Sequence, residues 1–163
     1  MNDNIKYITY DETLNIYQRM IEKSGGGFNG IRDDKGIRSI LDFIQNDFYY
    51  PSFADKLTYL VFSFCAGHYF NDGNKRIAIT LGSYFLHKNG YCWTACIFMR
   101  QIEAIVYHVA ASHIDKELLL RIIQCVVAGS DYDEELKIDI AKAMNKGTLG
   151  IQVETEYVSI NNK

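Results

Sequence analysis

The sequence predicts an all-α fold: a compact single domain of about six or seven helices, with a short β-like flap and tail. The 163 residues contain one proline, Pro51, and no regular spacing of turn residues, which favours helices over a β-sandwich. Apolar residues recur at helical spacing, and the runs begin at capping residues or end at glycine. With 48% apolar residues, the chain is long enough to bury one hydrophobic core.

The first two predicted helices flank a glycine-rich linker. Thr9 followed by Glu12 is a capping box, so a helix begins there. It ends before the linker GGGFNG at residues 25–30, because glycine stops helices readily. The second helix follows, with Asp33 or Asp34 as its cap.

The third and fourth helices flank a polar stretch. Ser52 with Asp55 three residues later opens the third helix, whose body LTYLVFSFCAG is apolar nearly all round. Such a helix is usually central and covered by its neighbours. The fourth helix follows the polar stretch at residues 68–76 and stops at Gly90.

The segment after Gly90 is predicted to be extended before the chain becomes helical again. The sequence YCWT at residues 91–94 favours a short extended piece, followed by a helix over about residues 97–111. Trp93 is expected to cover an edge of the core, since large aromatic side chains usually bury much of their area.

Two further helices complete the domain. Asp115 caps the first of them, which ends at Gly129. Ser130 and Asp133 cap the last, which Gly147 closes. Residues 148–163 alternate β-branched and polar side chains, so we divide the chain into a domain, 1–147, and a tail of unknown role.

Charge and composition exclude several classes of protein. The net charge of −3 argues against direct nucleic-acid binding, which usually needs a basic face. No apolar stretch reaches membrane-spanning length without polar interruption, so no membrane association is expected. The cysteines lie mostly in apolar helical runs and no secretory signal precedes them, which predicts a cytoplasmic protein with reduced thiols.

The polar stretch HYFNDGNKR, residues 68–76, has the composition of an anion site. Gly73 allows a tight turn, and the next helix begins near Asn74, so its free N–H groups point into the loop. Lys75 and Arg76 lie on that first turn, where the helix dipole disfavours cations. Their presence indicates a negatively charged ligand, and phosphate matches the arginine fork.

Asp72 and His68 add two side chains with possible catalytic roles to this site. A carboxylate beside bound polyphosphate is a common Mg²⁺ ligand, and an imidazole can accept a proton from an attacking hydroxyl. The alternative is a plain polar turn, with Asp72 as a helix cap, His68 at a helix end, and the two cations solvated.

The stretch resembles the signature of the Fic/Doc family, His-x-Phe-x-(Asp/Glu)-Gly-Asn-x-Arg. Every fixed position of that signature is matched, by His68, Phe70, Asp72, Gly73, Asn74 and Arg76. The order of helices, the opening segment and the KNG stop at residues 88–90 are similar to the Doc (death-on-curing) branch. This resemblance covers about residues 5–130 and leaves the tail outside. Tyr69 stands where many members have proline.

The resemblance implies an enzyme that uses Mg²⁺ and ATP to modify a hydroxyl of a protein. His68 would be the general base, Asp72 the Mg²⁺ ligand and Phe70 a structural anchor. The implied nucleotide phosphate site consists of Gly73, Asn74, Lys75 and Arg76. The implied target-docking flap consists of Gly26, Gly27, Phe28, Asn29 and Gly30.

The resemblance also implies a toxin of a toxin–antitoxin pair. Its partners would be a protein target, with a translation factor among the candidates, and a small antitoxin that folds as a helix into a groove. Ser130 and Glu134 have the Ser-x-x-x-Glu spacing of the family's inhibitory helix, but a plain cap is the preferred interpretation because Glu135 follows.

Lys75 bears on the group transferred. Most members that transfer AMP have glycine at this position, whereas Doc-like members have lysine. A long cation would fill part of the anion hole and turn the nucleotide to present its γ-phosphate, so phosphate transfer is the predicted reaction. AMP transfer stays open because Gly73 matches AMP transferases where Doc has alanine. An inactive antitoxin-binding module is a third interpretation.

Overall fold

The computed structural model describes residues 5–25 and 30–146. The flap residues 26–29 and the tail 148–163 lie outside these ranges. Within them the chain forms seven helices, and the only β pairing is an isolated antiparallel bridge between Ile31 and Phe70. The prediction of an all-α fold is confirmed.

The helices are α1 (Tyr10–Lys23), α2 (Asp34–Phe43), α3 (Phe53–Ala66), α4 (Asn74–Lys88), α5 (Cys92–Ala110), α6 (Lys116–Ala128) and α7 (134–146). No helix in the described ranges combines the length and apolar character needed to cross a bilayer.

Capping residues start the helices where the sequence predicts. Both capping boxes form, Thr9 with Glu12 before α1 and Ser52 with Asp55 before α3. Of the two candidates for α2, Asp33 is the cap, and its side chain accepts the Gly36 N–H at 2.8 Å. These starts are confirmed because the signal lies within four neighbouring residues.

The predicted start of α5 is wrong. The sequence favours an extended segment before a helix near residue 97, yet α5 begins at Cys92. Gly90 turns the chain with φ +89°, and the Tyr91 N–H donates to the Leu86 carbonyl at 3.0 Å. Because backbone bonds close this turn and no side chain caps α5, the sequence carries no start signal.

The expectation for Trp93 is also wrong, since its side chain is 79% exposed. The early start of α5 sets the phase of the helix. Ala95, Phe98 and Ile102 take the buried positions, which leaves Trp93 on the outer face of the first turn.

The last described helix is capped by Asp133, whose side chain accepts the Leu136 N–H at 2.7 Å. Ser130 does not share this role, because its hydroxyl donates weakly to the Cys125 carbonyl at 3.5 Å. The helix packs on α6 through an ion pair between Arg121 and Asp139, 2.6 Å long.

Helix α3 is the centre of the fold. It contacts α2, α4, α5 and α6, in agreement with its apolar sequence. Its C-terminus leads directly into the polar stretch, and α4 begins on the other side. The loop at residues 67–73 is therefore held between two helices that both contribute to the core.

Candidate active site

The loop between α3 and α4 is fixed from below by aromatic packing. Phe70 is 1% exposed, and its ring stacks on Tyr17 of α1 with centroids 3.9 Å apart. The Tyr17 hydroxyl donates to the Asp72 carbonyl at 3.0 Å. Phe70 is therefore buried beneath the loop and packed against α1. Tyr17 was not a predicted site residue, because the sequence marks it only as part of the apolar face of α1.

The Asn74 side chain closes the loop. Its oxygen accepts the Phe70 N–H at 3.0 Å, and its amide nitrogen donates to the Phe70 carbonyl at 2.8 Å. The side chain thus binds the loop backbone, and an anion would meet the backbone N–H of Asn74 at the start of α4.

Gly73 gives α4 an open N-terminus. It adopts the left-handed conformation at the N-cap, with φ +82°, and no side chain caps the helix. A Cβ atom here would lie 3.0 Å from Cε of Met20 and 3.3 Å from Cδ1 of Ile21. Both backbone angle and space therefore favour glycine. The first-turn amides of α4 have no side-chain cap, which is the arrangement that binds anions at helix N-termini in general.

Asp72 has a fixed carboxylate that stays open to solvent. One oxygen accepts the Gly73 N–H at 2.6 Å, and the other lies 3.1 Å from Nη2 of Arg76. The side chains of Asp72 and Arg76 are 49% and 41% exposed, and each carboxylate oxygen keeps a lone pair. No cluster of three or more His, Cys, Asp or Glu side chains suited to a metal occurs in the described ranges. One carboxylate fits Mg²⁺, which is commonly held by one or two carboxylates, water and substrate phosphates.

The predicted catalytic and phosphate-binding residues share one cavity of about 290 Å³. It is lined by Cys65, Ala66, His68, Ala110 and residues 71–76. His68 is exposed, and its ring forms no hydrogen bond to any residue of the described ranges. The structure thus brings His68, Asp72 and the start of α4 together, while Phe70 supports them from the core.

Cys65 forms part of the wall and was missed by sequence reasoning, as was Ala110. Burial raises the pKa of the Cys65 thiol to about 11, and the charge of Lys75 opposes this rise only in part. The thiol donates to the Val106 carbonyl at 3.1 Å. Cys65 is therefore a neutral wall residue at ordinary pH. Lys75 lines the same cavity as Cys65 and Ala110.

The chain that leaves the predicted flap runs antiparallel to part of the loop at residues 67–73. The Asn71 N–H donates to the Gly30 carbonyl at 3.0 Å, and the Arg32 N–H donates to the Tyr69 carbonyl at 2.8 Å. Gly30 is the one flap residue in the described ranges, since Gly26, Gly27, Phe28 and Asn29 lie outside them. The end of the flap thus lies beside the loop.

Tyr69 occupies a slot made by two glycines. A Cβ on Gly36 would lie 2.5 Å from Cε1 of Tyr69, and a Cβ on Gly67 would collide with the opposite edge of the ring. Burial raises the pKa of the Tyr69 hydroxyl, and the charge of Asp33 adds to this rise. The departure from proline is accommodated because Gly36 and Gly67 leave room for the ring.

Fold and site together define a class: an all-α protein that presents a histidine, a carboxylate and an uncapped helix N-terminus on one cavity. Residues 7–86 match the sequence model of the Fic/DOC family. The protein kinase doc of Escherichia phage P1 is 31% identical over 90 residues, which cover 53% of this chain and 70% of that protein. No solved structure matches the chain. The chain belongs to the Fic/Doc family, and this membership supports a transferase that modifies proteins.

Proposed function

We propose that this chain is a Fic/Doc-type toxin that transfers the γ-phosphate of Mg·ATP to a hydroxyl of a target protein. The observation that carries the proposal is the position of Lys75, which lines the same cavity as His68 and Asp72. The relative in phage P1 is named a protein kinase, which agrees with this choice.

His68 acts as general base in this proposal. It takes the proton of the target hydroxyl while that oxygen forms a bond to the γ-phosphorus. The bond from the γ-phosphorus to the bridging oxygen breaks, and ADP leaves with its electron pair. Exposure of the imidazole and its lack of a partner in the described ranges support this role, because the ring is accessible to a target and can return its proton to solvent.

The start of α4 binds the phosphates. The free N–H groups of its first turn and the Arg76 guanidinium supply donors on one side of the cavity. Asp72 would hold Mg²⁺, which neutralises phosphate charge when bound. The ion pair between Asp72 and Arg76 is half exposed, so it contributes little to stability and both groups are accessible to a ligand.

Lys75 favours phosphate transfer over AMP transfer. A long cation beside the wall at Cys65 takes up space and charge that an α-phosphate would otherwise use. Gly73, the residue that argued for AMP transfer, has a backbone reason to be glycine, since its φ is +82° and Met20 and Ile21 lie close. It therefore carries little information about the group transferred.

Inhibition by a separate antitoxin is also part of the proposal. Glu134 pairs with Lys137 at 2.7 Å and its side chain is 86% exposed, while Arg76 pairs with Asp72. The Ser-x-x-x-Glu spacing therefore has no support as an internal inhibitor of Arg76. If a separate antitoxin inhibits this chain, co-expression with the product of an adjacent gene should relieve the growth arrest that the chain causes.

The decisive test uses ATP labelled on either the α- or the γ-phosphorus, incubated with the protein, Mg²⁺ and a bacterial extract as target. Label from the γ-position alone should enter protein, and His68→Ala should abolish it. His87→Ala, which changes another exposed histidine, is the matched control. Label from the α-position would instead indicate AMP transfer. If no label enters protein and the His68→Ala variant affects cell growth in the same way as wild type, the chain is a binding module.

A further inference from the structure

We infer that Tyr17 is a positioning residue for the carboxylate of Asp72, a role that rests on the proposed function. Tyr17 lies on α1, is 3% exposed and is outside the motif loop. It meets the loop in two ways, through its ring and through its hydroxyl. In the described ranges, no other residue of α1 contacts residues 68–76 through both ring stacking and a hydrogen bond.

The ring holds the inner residue of the loop. Tyr17 and Phe70 stack with centroids 3.9 Å apart and planes 18° apart, and Phe64 of α3 also stacks on Phe70 at 6.4 Å. Buried aromatic stacking restricts both rings. Phe70 therefore cannot shift without disturbing α1 and α3, and the backbone that follows it starts from a fixed point.

The hydroxyl holds the outer part of the loop. It donates at 3.0 Å to the carbonyl of Asp72, which belongs to the peptide that joins Asp72 to Gly73. The same peptide carries the Gly73 N–H that donates to the Asp72 carboxylate at 2.6 Å. Since a peptide is planar, fixing its carbonyl also fixes its N–H. One hydroxyl thus sets the direction of the carboxylate and the left-handed start of α4.

A core-packing role alone makes a different prediction. If Tyr17 only fills space, loss of its hydroxyl should lower stability without a specific effect at Asp72. Tyr17→Phe separates the two possibilities because it keeps the ring stack and removes only the hydrogen bond. Tyr84→Phe is the matched control, since the Tyr84 hydroxyl donates at 2.8 Å to Glu12, which lies outside the loop.

The first measurement needs no ligand. Hydrogen exchange of the Gly73 amide, followed by NMR, should be about two- to tenfold faster in Tyr17→Phe than in wild type, the range of one net hydrogen bond. Tyr84→Phe should leave this amide unchanged. Thermal unfolding of both variants gives the purely structural effect for comparison.

The second measurement addresses the metal. The Mg²⁺ concentration that half-saturates binding of a non-hydrolysable ATP analogue should rise about two- to tenfold in Tyr17→Phe. Asp72→Asn should raise it more, and Tyr84→Phe should not change it. Wild-type Gly73 exchange and Mg²⁺ dependence in Tyr17→Phe would overturn the inference. If Asp72→Asn leaves the Mg²⁺ dependence of analogue binding unchanged, the proposed function is wrong, whatever the exchange experiment shows.

Discussion

Glu12 of α1 and Lys88 of α4 form an ion pair, with Nζ 2.6 Å from Oε2, that joins the beginning of one helix to the end of the other. The Tyr84 hydroxyl donates to the same carboxylate at 2.8 Å, and the Thr9 N–H donates at 2.8 Å within the capping box. Burial alone would raise the pKa of Glu12, but the hydrogen bonds from Lys88, Thr9 and Tyr84 outweigh it and lower the pKa to about 2. This carboxylate joins the first turn of α1 to the last turns of α4, at the end of α4 opposite the loop at residues 67–73.

The lowered pKa of Glu12 predicts a pH-dependent contribution to stability. An unfolded glutamate titrates near pH ~4.3, so the contribution is complete above that pH and is lost as pH falls towards the folded pKa of about 2. Lys88→Met should lower the free energy of unfolding by about 1 kcal/mol at neutral pH, since the pair is only partly buried. Urea unfolding between about pH 2.5 and 7 should show the gap between variant and wild type narrowing in acid.

The exposed pair of Lys137 and Glu134 provides a control for this prediction. Lys137→Met should change stability little at any pH, because Glu134 is 86% exposed. If the difference in free energy of unfolding between wild type and Lys88→Met stays constant with pH, the lost stability comes from packing and not from the charge of Glu12.

Gly73→Ala should weaken both the fold and the site. The left-handed angle of +82° costs an alanine about 1 kcal/mol, and Met20 would have to move away from the new Cβ. Binding of a non-hydrolysable ATP analogue, measured by calorimetry, should fall severalfold because the start of α4 shifts. Gly90→Ala isolates the strain, since its φ is +89° and nothing lies within 4 Å of the added carbon. That variant should lose stability and keep wild-type nucleotide binding.

Asn74→Ala should open the loop at residues 67–73. It removes two hydrogen bonds to the Phe70 backbone, so the free energy of unfolding should fall by about 2 kcal/mol. Analogue binding should fall about tenfold or more, because the loop that carries Asp72 loses its closure. Asn89→Ala removes a comparable set of bonds, to Lys6 and Phe85, outside the cavity. Equal binding by both variants would mean that Asn74 serves stability alone.

Lys75→Ala should lower γ-phosphate transfer about tenfold or more, since the proposed reaction depends on a cation at this point of the cavity. Lys75→Arg keeps the charge and should retain more activity. If removal of the side chain lets the nucleotide turn, label from the α-phosphorus should begin to enter protein. Unchanged transfer in Lys75→Ala would remove the main support for a kinase.

The helices and the motif are predictable because their signals are local. A capping box such as Ser52 with Asp55 spans four residues, and its hydrogen bonds join those same residues. The signature at 68–76 is likewise contiguous, and its predicted members except Phe70 line one cavity. The start of α5 was not predictable in this way, because a backbone bond from Tyr91 to Leu86 replaces a cap.

The amino-acid order alone settled the all-α class, most helix starts, and the set of polar residues gathered between His68 and Arg76, since each depends on residues that are neighbours in the chain. Packing of distant segments settled the rest. Tyr17 reaches Asp72 across 55 residues, and Ala110 reaches the cavity from the end of α5. Such contacts depend on how helices pack against one another, and the apolar pattern shows which face of a helix is buried without showing what it will touch.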